Sequence, residues 1–254
     1  MKEVQNVLND FASITLGEMD ENELMNRTDT KFVFPQSQLP AFLAHLKQDY
    51  RILDVEGNRI SRYESLYFDT PNFDLYHQHQ RGKLNRHKVR YRKYVESDLS
   101  FFEIKVKNNK NRTIKDRVQE EKIQDAIMDN AEKLLTKITG LRPEELEPKF
   151  WVNFSRITLV NMHSAERTTL DLDLHFHRNG TQNHMQNLVI AEVKQESNGH
   201  SPFIRLMKKH HVRPGSLSKY CFGVIILFKN IKHNNFKGNL RKINKVIYGI
   251  AASA

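Results

Sequence analysis

The sequence predicts an α+β protein in which antiparallel strands form a barrel or strongly curved sheet with helices packed on its outside. Three observations carry this reading. About eight segments alternate apolar and polar residues with period two. Amphipathic helical stretches lie between and after them. On several strands the charged residues share one parity, as in "HKVRYRKYVESDLSFFEIKVKNNKNRTIKDRV", residues 87–118. Apolar strand faces then pack on helices, while charged faces line an interior. The periodicity alone fits an open sheet with helices on one face equally well.

The elements follow in order. Val4, Val7, Leu8 and Phe11 recur at helical spacing. "NRTDTKFVF" reads as a strand with Arg27, Asp29 and Lys31 opposite Phe32 and Phe34. A helix is expected from about Pro40 and a turn at Gly57. "RYESLYFDT" is a strand ending at Thr70-Pro71, where Thr70 is placed to cap a short helix with proline at its first position. In the hairpin that follows, Lys88, Arg90 and Arg92 oppose Val89 and Tyr91; beyond Glu96-Ser97-Asp98, Phe101, Glu103, Lys105 and Lys107 oppose Phe102, Ile104 and Val106. "RTIKDRVQ" is a third strand. Residues 119–138 place Ile123, Ile127, Leu134 and Leu135 at helical spacing, and Gly140 ends that helix. Strands return in "KFWVNFSRITLV", "RTTLDLDLHF" and "NLVIAEVKQE". The middle one sets Thr168, Leu170, Leu172 and Leu174 against Arg167, Thr169, Asp171 and Asp173. The remainder, "PFIRLMKKH", "SKYCFGVIILF" and "NLRKINKVIYGI", is helical.

Composition narrows the function. The chain has 254 residues, 40 Lys and Arg against 30 Asp and Glu, and a formal charge of +10, which favours a polyanionic partner. Its basic residues alternate along strands instead of clustering with exposed stacking aromatics, which argues against nucleic acid. The single Cys221 has no disulfide partner and is expected to be buried. The longest apolar run, Cys221 to Phe228, is shorter than the roughly 20 residues of a spanning helix, and the N-terminus lacks a secretory core. A soluble, cytoplasmic chain is expected, with no membrane span. With no internal repeat, one domain over residues 1–254 is expected.

The motifs "RTDTKF", "YFDTPNFDLYHQH", "KVRYRKY", "FFEIKVK", "NFSRITL", "RTTLDLDL", "VIAEVKQE" and "SLSKYCFG" occur in the order found in the vacuolar transporter chaperone (VTC) catalytic domain. The chain resembles that family, the polyphosphate polymerase branch of the triphosphate tunnel metalloenzymes, over about residues 20–230. The helical pattern at the end of the chain places a C-terminal helix over 238–250, and the resemblance implies an antiparallel β tunnel and transfer of the terminal phosphoryl of ATP to polyphosphate with Mn2+ or Mg2+. It implies phosphate-handling roles for Lys31, Arg90, Arg92, Lys105, Lys115, Arg156, Arg167 and Lys219, with Arg27, Lys107 and Ser218 as further substrate-binding residues. Glu192 is the implied metal ligand, with Glu103 and Asp29 as weaker candidates. Related tunnel enzymes begin with alternating glutamates; Arg27, Asp29 and Lys31 in their place fit the polymerase branch better. Ser216 stands where the best-known polymerase domains have a lysine, so one phosphate contact is expected to be missing.

These residue types suit the chemistry. Phosphoryl transfer asks mainly for positioning and charge stabilisation. Arginine supplies fixed bidentate geometry and lysine a point charge. A phosphate acceptor is already anionic and hardly needs a general base. Asp171 and Asp173 are expected to pair with arginines and organise the wall; His77 and His79, without a third ligand, are read as polar helix residues rather than zinc ligands. A tripolyphosphatase on the same scaffold and a non-catalytic polyphosphate or nucleotide binder are the alternatives.

Overall fold

A computed structural model of the chain describes residues 2–20, 27–110, 112–196, 200–215 and 217–248, the side chains of Asp20 and Arg27 excepted. Among the described residues eleven strands form one sheet: β1 (Ser13–Ile14), β2 (Arg27–Pro35), β3 (Tyr50–Leu53), β4 (Ser61–Asp69), β5 (Arg86–Tyr94), β6 (Leu99–Lys107), β7 (Thr113–Glu120), β8 (Glu147–Asn161), β9 (Glu166–Arg178), β10 (Thr181–Met185) and β11 (Leu188–Glu196). The helices are α1 (Lys2–Asn9), α2 (Leu16–Asp20), α3 (Leu39–Leu46), α4 (Asp74–Gln80), α5 (Asp129–Thr139), α6 (Pro202–Lys209), α7 (Lys219–Leu227) and α8 (Lys237–Tyr248). No described helix is long and apolar enough to cross a membrane.

The main path runs β2-β11-β9-β8-β4-β5-β6-β7, antiparallel throughout; the short β1 pairs in parallel with β3, off this path. Among the described residues β2 and β7 share no ladder, so hydrogen bonds do not close the expected barrel. The sheet is nonetheless curled. Strands of a flat sheet lie about 4.8 Å apart, which would put Lys105 of β6 about 24 Å from Lys194 of β11, five strands away. Lys194 instead lies close enough to oppose the charge of Lys105. Residues of β2 and β7, the two ends of the path, also line a single cavity.

Helices sort by face. On the outer face Phe32, Phe34, Ile157, Leu159, Leu170, Leu172, Val189, Ala191 and Val193 pack against α1, α3 and α6. Leu66, Phe68, Val89, Tyr91, Phe102 and Ile104 pack against Ala131 and Leu135 of α5. Each large apolar side chain buried this way contributes about 1.5–3 kcal/mol. One expectation fails: α7 is not outside. Its Tyr220, Cys221, Phe222 and Val224 cluster with Tyr67, Phe150, Phe154, Leu174, Phe176 and Ile190, on the face that carries the cations. A helix apolar all round has no solvent side to offer. Gly223 marks the closest approach, since a Cβ there would lie 2.2 Å from Phe150 and 2.9 Å from Phe176. Gly223→Ala is therefore expected to lower stability by about 1–3 kcal/mol through overpacking, measured by thermal or urea unfolding.

The expected alternation of β9 also breaks. Asn153 pairs with His175 but Ser155 pairs with Leu172, so β9 carries one extra residue there. Asp173 adopts φ 52° in this bulge. The slip moves Leu174 and Phe176 onto the inner face with Asp171, and turns Asp173 away from the alternation read in the sequence. Thus β9 presents a polar inner surface up to Asp171 and an apolar seat for α7 beyond it.

Two helix boundaries shift. The helix expected over 119–138 begins only at Asp129; Ile123 and Ile127 bury from irregular backbone, while Gly140 ends it at φ 73° as expected. The Thr70 hydroxyl accepts from the Asp74 backbone N–H at 2.9 Å, but Pro71 lies in the turn before α4 rather than within it.

Candidate functional site: a cation-lined inner face

Registers place the charged side chains in rows. Across β5, β6 and β7 the inner-face rows are Arg86–Lys107–Thr113, Lys88–Lys105–Lys115, Arg90–Glu103–Arg117 and Arg92–Phe101–Gln119. Across β2, β11 and β9 they are Lys31–Glu192–Thr169 and Asp29–Lys194–Arg167. Like charges directly opposite one another destabilise a sheet, so the Lys88–Lys105–Lys115 row needs an external anion or an internal one.

Three carboxylates, Glu103 and Asp171 buried and Glu192 half-buried, offset charge on this face. Glu103, fully buried, accepts from Arg90 at 2.9 and 2.6 Å and pairs with Lys115 at 2.5 Å. Burial pushes its carboxyl up, but Arg90, Arg92 and Lys115 outweigh this and hold it well below the usual range. Asp171 takes a two-pronged contact from Arg156 at 2.6 and 2.9 Å and a hydrogen bond from Lys219. Against burial, those two cations bring Asp171 down to about 2. Glu192 pairs with Lys31 at 2.9 Å, and Lys194 with Lys31 outweighs burial to keep it ionised.

Arg92 and Lys105 have no ion pair among the described residues. Arg92 is only 6% exposed, and its one hydrogen bond among the described residues goes from Nε to Ser65 Oγ at 3.0 Å. Among the described residues Lys105 has no ion pair or side-chain hydrogen bond; Arg90, then burial, then Arg92 push its ammonium well below the ordinary lysine value. Aromatic rings support the cations from beneath. Arg92 lies 5.4 Å from the Tyr63 ring and 5.5 Å from Phe154, Arg156 4.9 Å from Tyr63, and Lys219 4.6 Å from Phe154. Arg90 also donates to the Tyr67 hydroxyl at 2.8 Å.

Of the residues singled out in the sequence, Lys31, Arg90, Arg92, Lys105, Lys115, Arg156, Lys219 and Glu192 share the inner face. Lys31, Lys107 and Ser218 line a cavity of about 810 Å3 between β2, β5–β7, α7 and α8. Ser218 also caps α7, its Oγ accepting from the Cys221 N–H at 3.2 Å. Arg167 lines a separate cavity of about 420 Å3 with Met19 and Arg51 and donates to the Met19 carbonyl at 3.2 Å. The Arg27 side chain and Ser216 lie outside the described residues.

For a metal, no three His, Cys, Asp or Glu side chains converge among the described residues. Both Glu103 oxygens already face cations, so a metal there would have to displace Arg90 or Lys115. Glu192 differs, because its register neighbour Thr169 carries a buried hydroxyl with no hydrogen-bond partner among the described residues. One carboxylate and one hydroxyl suit an ion such as Mg2+ that takes its other ligands from phosphate oxygens and water.

Several site residues escaped the sequence reading: the aromatic supports Tyr63, Tyr67 and Phe154, the hydroxyl of Ser65, and Lys194 as a member of the rows. Parity carried a signal for most of them. Tyr63, Ser65 and Tyr67 alternate on one face of "RYESLYFDT", and Lys194 follows Glu192 by two.

A curled antiparallel sheet with buried cations on its inner face and a helix seated within it defines a triphosphate-tunnel fold. The VTC domain model matches residues 26–228, and the chain belongs to the VTC domain family. Comparison with curated proteins finds no match. Among solved structures, a Hippeastrum protein assigned as an adenylyl cyclase and described as having a dominant triphosphatase activity superposes with a TM-score of 0.50 at 12% identity, over 83% of this chain and 100% of its own. Proteins from Vibrio parahaemolyticus and Bacillus halodurans, both assigned as adenylate cyclases, superpose at 0.46 and 0.47 with 14% identity each, over 78% and 76% of this chain and 99% and 96% of theirs.

Proposed function

We propose that the protein is an ATP-dependent polyphosphate polymerase that transfers the terminal phosphoryl of ATP to the end of a polyphosphate chain. The observation that carries this reading is a pair of cations with no ion pair among the described residues, Arg92 buried and Lys105 half-buried, inside a curled basic sheet. Isolated buried charge is costly, and a bound polyphosphate relieves it. Arg90, Arg92 and Arg156 grip non-bridging oxygens with fixed geometry, while Lys31, Lys105, Lys115 and Lys219 add point charges where negative charge develops. Arg167 extends the same face from the Lys194 row. Glu192, with Thr169 beside it, would hold Mn2+ or Mg2+, which when bound offsets charge on phosphate oxygens.

Protonation favours a phosphate acceptor over water. A general base works best with a pKa near the working pH, whereas Glu103, Asp171 and Glu192 are all tied to cations and held low. An anionic terminal phosphate attacks without one.

Incubation with ATP and Mn2+, with products sized on a gel and ADP followed in parallel, tests the proposal. The expected result is a phosphate ladder that fails to form with Glu192→Ala. Free phosphate without a ladder would indicate a tripolyphosphatase, and binding without turnover a non-catalytic module.

A further inference from the structure

Beyond the residues that surround Arg92 and Lys105, the row of cations continues outward into the 810 Å3 cavity. Arg86, Lys88, Lys107 and Arg112 line it, facing Asp29 and Lys31 of β2. Arg86 stands directly opposite Lys107, and Lys88 opposite Lys105. Among the described residues, none of Arg86, Lys88, Lys107 and Arg112 has a carboxylate partner. Arg86 is nevertheless held in place. His79 Nε2 meets the His87 carbonyl at 2.9 Å and therefore carries the proton, which leaves Nδ1 bare to accept from Arg86 Nε at 3.0 Å. A second bond runs from Arg86 Nη1 to the Lys83 carbonyl at 2.7 Å. Burial, reinforced by Lys88 and Arg86, pushes the His79 imidazole down to about 3, so it stays neutral and keeps this acceptor. An arginine anchored by an uncharged partner keeps its whole charge for a ligand.

We infer that Arg86 and Lys107 form an outer anion subsite for linear polyphosphate longer than a triphosphate, with His79 as the positioning residue for Arg86. This deepens the polymerase reading and rests on it. From the Arg92 row to the Arg86 row is six residues, about 20 Å along an extended strand, well beyond the reach of three linked phosphates. An occupant of both ends must be a longer chain. Its repeating negative charge satisfies successive rows, whose like charges otherwise repel.

The test compares the affinity of the full chain for long-chain polyphosphate with that for tripolyphosphate, by calorimetry. Wild type is expected to prefer the long chain, and Arg86→Ala with Lys107→Ala to lower that preference by about tenfold or more, as for loss of charge-assisted phosphate contacts. His79→Leu should lower it too, and His79→Gln, which keeps one donor and one acceptor, should restore most of it; a purely packing role would show no such rescue. A preference unchanged in the double variant, with both ligands still bound, would overturn the outer subsite and leave the polymerase reading standing. Failure of wild type to bind either ligand would sink both.

Discussion

Arg92→Met is expected to lower turnover by about 10²–10³-fold, the usual effect of removing one preorganised donor to developing charge, without lowering the melting temperature. Arg92 is buried, donates a single hydrogen bond among the described residues, and feels both desolvation and Arg90 against its charge. An apolar side chain of similar length keeps the packing on Tyr63 and Phe154 and removes the unpaired charge. Lys105→Met should behave alike. Replacing buried charge with packed apolar groups is often stabilising by about 1–4 kcal/mol, and each kcal/mol raises the melting temperature by about 2–4 °C in a chain of this length. Tripolyphosphate should stabilise wild type more than either variant.

Lys105 also gives the phosphate-free protein a pH signature. Its folded value lies well below the usual lysine value of about 10.4, because Arg90, burial and Arg92 oppose its charge. Below the folded value the group is charged in both states, and its penalty is fully present. Between the two values the unfolded chain holds one proton more, so stability rises with pH. Thermal unfolding from neutral toward pH 10 should show wild type gaining on Lys105→Met. A constant difference between them would refute the account.

The opposite effect is expected at Glu103. Glu103→Gln leaves Arg90 and Lys115 without their anion beside the already unpaired Arg92 and Lys105, and breaking a buried ion pair costs about 3–5 kcal/mol. Urea unfolding measures this loss, and a loss within about 0.5 kcal/mol, the range of a featureless surface substitution, would contradict the assignment. In acid the sign is that of a depressed carboxyl. The stabilisation from Glu103, Asp171 and Glu192 is complete above the unfolded value of about 4 and disappears as pH falls through the folded values, about 2 for Asp171. Wild type should therefore keep its stability down to about pH 4 and lose it below, and Glu103→Gln should show a shallower loss.

Sequence pattern decided which side chains share a face wherever alternation ran unbroken. In β5 and β6 the parity of Lys88, Arg90 and Arg92 against Val89 and Tyr91, and of Glu103 and Lys105 against Phe102 and Ile104, is what the fold displays, because side-chain direction in a strand has a fixed period of two. Motif order identified the family for the same residues. Three features needed the tertiary structure. The β9 bulge at Asp173 has no period of its own, since it exists only in the pairing of β9 with β8. The seat of α7 inside the sheet was hidden because an apolar helix reads the same from within as from without; Gly223 against Phe150 shows which. Nor could local sequence divide the cations into those held by Glu103, Asp171 and Glu192 and those without an ion pair among the described residues. Charge is a property of each residue, but compensation depends on which strands the curl brings face to face.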